Sequence, residues 1–321
     1  MTAQPTTVHR TGSPHSGPPR RTRRGAPAYK RRELLLQILC VAPPCLLLLA
    51  LVGYPLVQTL YLSVMKSTLI QRVPTFTGLG NFVKIFTSSS FWTVAANSVI
   101  WTASVVVLQF VLGMGAALIL NRRFFGRGLL RAAVVIPWVM PGVIAGALWK
   151  LIYEPYLGPL AQILGLVGVP AQNAAWLGNA STALFAVIVV GAWKGFPLSA
   201  VMYTAAYQNV PEELREAARL DGANSWQVFR TVVLPSMAPT IRSTLVLTTV
   251  WTFNYFDLVY VLTNGGPGNS TEIFPTAIYR IAFEQVNYGV SSAYGVVSIA
   301  VLGVFTFLYL RQLNKSGSLN R

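Results

Sequence analysis

The chain has 321 residues, of which 53% are hydrophobic and only 11% carry a charge. Because soluble proteins average about 25% charged residues, this composition excludes an ordinary soluble globular protein and predicts a membrane protein. In a membrane protein, the net charge of +16 reports the orientation of the chain rather than affinity for nucleic acid.

The first 33 residues form a basic segment without apolar periodicity. They contain eight of the 25 lysine and arginine residues and many Pro, Ser, Thr and Gly, which is typical of disorder. We predict a disordered cytoplasmic tail over residues 1–33. The alternative is a contact with nucleic acid or anionic lipid. It would use the basic residues Arg20, Arg21, Arg23, Arg24, Lys30, Arg31 and Arg32.

A long apolar run follows at residues 34–53. It is too long for the apolar part of a signal peptide, and no Ala-x-Ala cleavage site follows it, so we predict an uncleaved anchor. Cys40 and Cys45 lie within this run and cannot face each other on a helix. They are therefore expected to be buried free thiols.

Six apolar segments reach the length of about 20 residues that a membrane-spanning helix needs. They cover residues 34–55, 94–119, 131–151, 183–206, 240–263 and 291–311. Small residues such as Gly113 and Gly115 would let these helices approach closely. The sequence therefore predicts an all-α, polytopic protein, with a six-helix transmembrane domain over residues 34–311 and a cytoplasmic tail over residues 312–321.

The basic residues outside the predicted spans indicate the orientation. Eighteen lie in the two terminal segments and in the connections 120–131 and 207–239, against five in the other connections. Cytoplasmic segments carry the excess of lysine and arginine. Both termini and the connection 207–239 are therefore predicted to be cytoplasmic.

The connection 207–239 holds four of the nine acidic residues of the chain. Its pattern predicts two short helices. Asn209 has capping-box spacing with the acidic residue three positions later, and Gly222 suits the left-handed residue that ends the first helix. The second helix would begin after a cap at Ser225 and end at Pro235. One narrow face of the first helix would consist of Leu214, Ala217, Ala218 and Asp221.

Six residues of this connection have a characteristic spacing: Glu216, Ala217, Ala218, Gly222, Leu234 and Pro235. The spacing resembles the EAA motif of permease subunits of binding-protein-dependent ABC importers, with Val232 where that motif usually has isoleucine. The resemblance implies the type I ABC importer permease fold and a coupling helix that docks on a separate ATPase. An ordinary amphipathic surface hairpin is the alternative.

The same resemblance implies the partners and the location of the protein. The partners would be a second homologous permease subunit, a dimer of ATP-binding subunits and an extracytoplasmic solute-binding protein. The location would be a bacterial cell membrane.

The chain itself lacks the residues that bind nucleotide phosphates. The sequence Gly-x-x-x-x-Gly-Lys-Ser/Thr does not occur, and none of the six lysines follows a glycine. The two histidines, His9 and His15, lie in the predicted tail. We therefore expect no catalytic group, metal site or cofactor in this chain, and expect ATP and Mg to be bound by the partner ATPase.

Polar residues in the fourth and fifth segments suggest a substrate path. Trp251, Asn254 and Asp257 recur at intervals of three residues and would share one face of the fifth span, beside Tyr255. An indole stacks on the C–H face of a sugar while amide and carboxylate groups pair with its hydroxyls. Lys194 would lie near the middle of the fourth span, where a charge is costly enough to suggest a function. Alternatively, Asp257 is interfacial, Lys194 pairs with backbone carbonyls, and Trp251 is core packing.

The last outer connection begins with a turn-rich passage, residues 262–271. With Tyr260, Tyr279, Arg280, Ala282 and Phe283 around it, this passage is similar to the carbohydrate-uptake group of importers, the maltose and glycerol-3-phosphate type. Within that group it resembles the first of the two permeases. The resemblance implies a sugar or sugar derivative as substrate, without indicating which one.

Two other function classes remain open from the sequence. A self-contained secondary transporter would be expected to have more ionisable groups within the membrane and paired broken helices. An intramembrane enzyme would need catalytic groups that the predicted spans lack.

Overall fold

The computed structural model describes residues 28–70, 73–166, 168 and 175–315. The chain divides into two compact units, residues 1–55 and residues 56–321. In the first unit, α1 spans Ala28–Leu48 and is followed by a π-helical turn, Leu49–Gly53. Residues 28–33, predicted to belong to a disordered tail, are thus helical, since lysine, arginine and glutamate favour helix. The rest of that predicted tail lies outside the described residues.

The remaining described elements are also mostly helical. The short strands β1, Met65–Lys66, and β2, Thr75–Phe76, pair antiparallel. The helices are α2 Tyr54–Ser63, α3 Gly80–Phe86, α4 Ser89–Leu120, α5 Arg127–Val139, α6 Gly142–Ile152, α7 Pro159–Leu166, α8 Ala180–Gln208, α9 Glu212–Leu220, α10 Ser225–Val228, α11 Leu234–Phe253, α12 Asp257–Thr263, α13 Phe274–Tyr279 and α14 Tyr288–Lys315. Two π-helical turns, Phe229–Val233 and Arg280–Glu284, follow α10 and α13.

Four helical segments in the described part of the chain are long and apolar enough to cross a membrane alone: Leu36–Ser63, Ser89–Leu120, Ala180–Gln208 and Tyr288–Tyr309. Two bent pairs meet the same criterion only when each pair is combined. They are Arg127–Val139 with Gly142–Ile152, bent by 102°, and Ser225–Phe253 with Asp257–Thr263, bent by 46°. Counted this way, the spans reach the six predicted, and the all-α polytopic class is confirmed.

The cysteines differ from expectation. Cys40 and Cys45 are free, as predicted, but both are exposed on α1 rather than buried. A spanning helix does not need to bury its apolar surface in protein, because lipid tails are as apolar as leucine. The apolar sequence around Cys40 and Cys45 therefore does not require that they be buried in a protein core.

Helices α4 and α8 pack along each other and form the centre of the second unit. Their approach is close enough to require glycine: a Cβ on Gly113 would overlap Ser199, and one on Gly191 would overlap the ring of Trp101. The predicted role of Gly113 is therefore confirmed. Gly115, by contrast, has nothing within 4 Å of such a Cβ.

A buried ion pair stabilises the connection between α12 and α14. Arg280 Nη2 donates to Glu272 Oε2 at 2.9 Å, and Glu272 is only 1% exposed. This hydrogen bond holds the pKa of Arg280 above its usual value. Asn97 of α4 donates to the backbone oxygen of Glu272 at 3.2 Å, so the connection is tied to the packed helices.

Candidate functional site

The predicted coupling segment begins with α9, Glu212–Leu220, as a short, highly exposed helix. The predicted cap at Asn209 is wrong, because Pro211 occupies the N-cap position and provides no side-chain hydrogen bond. Proline fixes the backbone at the entrance to the helix instead. Arg215 anchors the helix, since its guanidinium lies 5.1 Å from the ring centroid of Tyr207 and forms an ion pair with Glu212.

The end of α9 explains the spacing between Ala218 and Gly222. Gly222 is left-handed, with φ +87°, as predicted. Its N–H donates to Arg219 O and the N–H of Ala223 donates to Ala218 O, both at 3.0 Å. These two bonds form a Schellman motif, in which the residues at its two ends also make an apolar contact. Ala218 and Ala223 pack on one apolar cluster, so the motif turns the chain back onto the protein.

The second half of the segment departs from the prediction. Asn224, not Ser225, caps α10, through a capping box in which Asn224 and Gln227 exchange hydrogen bonds at 2.9 and 2.7 Å. Pro235 does not end the helix, because the chain continues through the π-helical turn into α11. In that turn, Leu234 N–H donates to Phe229 O, five residues back. The wider turn accommodates a proline, which lacks an N–H and would crowd an ordinary helical turn.

The predicted coupling residues divide into outward-facing and inward-facing groups. Glu216, Ala217 and Pro235 are exposed, whereas Ala218 and Leu234 are partly buried against the apolar cluster of this chain. The prediction missed two large exposed apolar side chains, Leu220 at 88% and Trp226 at 66%. The available signals were an apolar residue two positions before a helix-ending glycine and a tryptophan in a polar connection.

A second site lies where the third span breaks. Met140 has an extended backbone between α5 and α6, and Pro141 prevents an ordinary helix from continuing. Lys194 of α8 is 7% exposed, and its Nζ donates to Met140 O at 2.6 Å. The alternative that Lys194 pairs with a backbone carbonyl is therefore what the structure shows.

The same break brings Asp257 close to the start of α6. A Cβ on Gly142 would overlap the carboxylate of Asp257, so this close approach requires glycine. The carboxylate attracts the ammonium of Lys194, although no direct ion pair joins these two described residues. An ammonium thus lies at the end of α5 and a carboxylate at the start of α6, as helix dipoles favour.

A small cavity of about 110 Å³ adjoins Lys194. Its lining includes Gln109, Trp138, Lys194, Trp251 and Tyr255. The structure therefore brings together three of the predicted path residues, Lys194, Trp251 and Tyr255. The prediction missed Gln109 and Trp138. An amide deep within the apolar segment 94–119 is the signal that indicates Gln109.

Asn254 and Asp257 do not extend this cavity along one helix face. Helix α11 ends at Phe253 and α12 begins at Asp257, so the fifth span is broken, and the prediction that these residues share one helix face is wrong. Asn254 is exposed, and its amide nitrogen donates to Val250 O at 2.8 Å. Such side-chain bonds to the backbone compete with regular helix and favour a bend. Asp257 is turned toward Gly142.

Comparison with known proteins places this geometry in context. A family model described as binding-protein-dependent transport system inner membrane component matches residues 109–316. The trehalose/maltose transport system permease protein MalF of Thermococcus litoralis is 35% identical over 286 residues, covering 88% of this chain and 95% of that protein. The trehalose transport system permease protein SugA of Mycobacterium tuberculosis is 33% identical, covering 90% and 91%. The diacetylchitobiose uptake system permease protein DasB of Streptomyces coelicolor is 34% identical, covering 89% of each chain.

Among solved structures, the chain is similar to a bacterial ABC transporter involved in the import of the acidic polysaccharide alginate. The TM-score is 0.77 at 21% identity, covering 89% of this chain and 96% of that chain. A second structure of the alginate transporter, in complex with a periplasmic protein that holds an alginate pentasaccharide, gives a TM-score of 0.76 at 22% identity. These likenesses confirm the predicted fold.

Proposed function

Because this chain belongs to the family of binding-protein-dependent transport system inner membrane components, we propose that it is a permease subunit of an ATP-driven importer. It forms half of the path by which a sugar or sugar derivative crosses the membrane. The observation that carries the proposal is the cavity beside Lys194, in which aromatic rings and polar groups converge near the middle of the spanning helices.

The chemistry of the cavity favours a carbohydrate. Trp138, Trp251 and Tyr255 offer ring faces to the C–H face of a sugar, and Gln109 and Lys194 offer hydrogen bonds to its hydroxyls. Relatives that are at least 30% identical carry names that specify trehalose, maltose or diacetylchitobiose. All of these are saccharides, which supports the same substrate class here.

The small size of the cavity supports a substrate path that is shared between two permease subunits. Its volume of about 110 Å³ is well below the roughly 300–1,000 Å³ of ordinary ligand pockets. Trp251 is also 49% exposed, although it lines the cavity. A second, homologous permease subunit facing this side of the chain supplies the opposite wall.

We assign coupling to ATP hydrolysis to the segment from α9 to the start of α11. Its exposed residues Glu216, Ala217, Leu220 and Trp226 form the surface that docks on the ATPase. Ala218, Gly222 and Leu234 hold that surface in place through the Schellman motif and the apolar cluster. ATP and Mg are bound by the partner, since this sequence contains no phosphate-binding loop.

The protein functions in a bacterial cell membrane with both termini in the cytoplasm, as the excess of basic residues favours. An extracytoplasmic solute-binding protein delivers the sugar to the opposite side. The second alginate transporter structure is a complex with a periplasmic protein of this kind, which supports the same arrangement here.

The test is reconstitution of the chain in vesicles with the second permease and the ATPase. Trehalose, maltose and diacetylchitobiose serve as probes, each with its binding protein. We expect uptake of at least one of them, dependent on ATP supplied on the side of the ATPase. Uptake that this chain alone drives with an ion gradient would instead establish a secondary transporter.

A further inference from the structure

A cluster of four aromatic rings lies at the predicted outer end of the second unit. It consists of Phe256, Tyr260, Tyr279 and Phe283, and is called the aromatic cluster below. Phe256 lies 5.0 Å from Tyr260 and 5.1 Å from Tyr279, measured between ring centroids. Phe283 extends the cluster at 4.9 Å from Tyr279. α12 thus contributes Tyr260, and the π-helical turn after α13 contributes Phe283.

These rings are not part of the packed interior. Phe283 is 66% exposed, and the other three are only partly buried. None of the four belongs to the three apolar cores of the described residues. Phe91 and Phe274 show the contrast, since both are 2% exposed within such a core. Core packing therefore does not account for the aromatic cluster.

An open groove adjoins the cluster at Tyr260. Its volume is about 520 Å³, and its lining includes Lys150, Glu154, Tyr260 and Asn264. This volume is within the roughly 300–1,000 Å³ of ligand pockets, in which a few polar groups accompany apolar and aromatic walls. An ammonium, a carboxylate and an amide are therefore available beside an aromatic face.

The carboxylate of Glu154 is held in a fixed position. Its Oε2 accepts hydrogen bonds from the backbone N–H groups of Leu157 and Tyr156, the second at 2.9 Å. These bonds, that of Leu157 first, hold the pKa of Glu154 below its usual value. The group is therefore an ionised hydrogen-bond acceptor at neutral pH.

We propose that the aromatic cluster and the groove beside Tyr260 form a second saccharide site, which holds the sugar before it reaches the cavity beside Lys194. This inference rests on the proposed function. It adds a second sugar-binding site to the cavity beside Lys194. Ring faces of the cluster stack on the sugar, while Glu154, Lys150 and Asn264 pair with its hydroxyl groups.

Two features favour a sugar over other occupants. The cores of protein interfaces are depleted of charged residues, and lipid tails offer no partners to Lys150, Glu154 and Asn264. The site also neighbours the cavity in the sequence, because Phe256 of the aromatic cluster directly follows Tyr255, which lines that cavity.

The experiment uses the complete transporter in vesicles and whichever of trehalose, maltose and diacetylchitobiose the unaltered complex imports. Tyr260→Ala and Phe283→Ala should each raise the apparent KM for uptake roughly ten-fold, as expected for the loss of one stacked ring. Tyr260→Trp keeps a ring and should restore a KM close to that of the unaltered complex. Phe76→Ala is the matched control, since Phe76 is 75% exposed and lies outside the cluster; its KM should not change.

Each other outcome has a distinct meaning. An unchanged KM in both alanine variants, with normal sugar uptake, would overturn this site and leave the proposed function standing. Loss of the second permease on purification of Tyr260→Ala would show that the cluster is a subunit contact, which also overturns the site. Absence of any ATP-dependent sugar uptake by the unaltered complex would instead refute the proposed function, and the second site with it.

Discussion

The ammonium of Lys194 donates to the backbone oxygen of Met140 at 2.6 Å, where the third span bends by 102°. The end of a helix leaves carbonyl groups without partners within that helix. Inside a membrane no water is present to satisfy them. Lys194 satisfies one such carbonyl and places a positive charge at the negative end of α5. A costly intramembrane charge is thus explained by the broken helix that it supports.

We expect Lys194→Met to destabilise the protein. The substitution keeps the length of the side chain but leaves Met140 O without its partner, at a cost of about 1–3 kcal/mol. The measurement is the Tm of the purified complex in detergent. Lys150→Met is the matched control, because Lys150 is exposed. Equal Tm values for the Lys194 variant and the unaltered complex would contradict a supporting role for this hydrogen bond.

Features that depend on nearby residues could be predicted from the sequence. The left-handed conformation of Gly222 follows from the need to end a helix between two apolar positions. The spans follow from the length of the apolar segments. The capping box of Asn224 and Gln227 could also be predicted, since these residues have the spacing Asn-x-x-Gln. Choosing Ser225 as the cap was an error of one position.

Features that depend on distant residues could not be predicted. Met140 and Lys194 are 54 positions apart, so no local pattern indicates their hydrogen bond. The bend at Asn254 likewise lies in a segment whose apolar composition suits a straight span. Only the fold shows that Asn254 bonds to Val250 O while Asp257 turns toward Gly142. The sequence therefore predicted only some of the residues that line the cavity beside Lys194.

The two alanines of the coupling segment should respond differently to enlargement. Ala217 is exposed, so Ala217→Trp should leave the permease folded but prevent docking on the ATPase. Ala218 packs on the apolar cluster of its own chain, so Ala218→Trp should overpack that cluster, at a cost of about 1–3 kcal/mol. The measurements are the Tm of the isolated permease pair and the sugar-stimulated ATPase activity of the complex.

A conservative pair of variants controls this experiment. Ala217→Ser and Ala218→Ser add one small atom at the same positions and should leave both readouts nearly unchanged. If Ala217→Trp supports full ATPase stimulation, the exposed face of α9 is not the docking surface. Loss of stability in that variant would instead show that Ala217 packs within the permease.

The predicted orientation is open to a labelling test. After replacement of the exposed Cys40 and Cys45 by serine, single cysteines are introduced as Tyr156→Cys and Glu213→Cys, both at exposed positions. A membrane-impermeant thiol reagent added to intact cells should label position 156 only, because the excess of basic residues places α9 in the cytoplasm. Permeabilised cells, in which both positions should react, provide the control. Labelling of position 213 in intact cells would reverse the topology.

The cavity beside Lys194 makes a specific prediction about the fifth span. Trp251 lines the cavity and Asn254 does not. If the sugar binds there, Trp251→Ala should raise the apparent KM for sugar uptake roughly ten-fold through loss of a stacking surface. Gln109→Leu should act in the same direction, because it removes a buried hydrogen-bonding amide from the same wall.

Asn254→Ala is the matched control, since the Asn254 amide bonds only to its own helix among the described contacts. The Asn254 variant should leave KM unchanged. Because it alters the bend, it should affect at most the rate of transport. An increase in KM for Asn254→Ala together with an unchanged KM for Trp251→Ala would show that the sugar follows the exposed side of α11 instead.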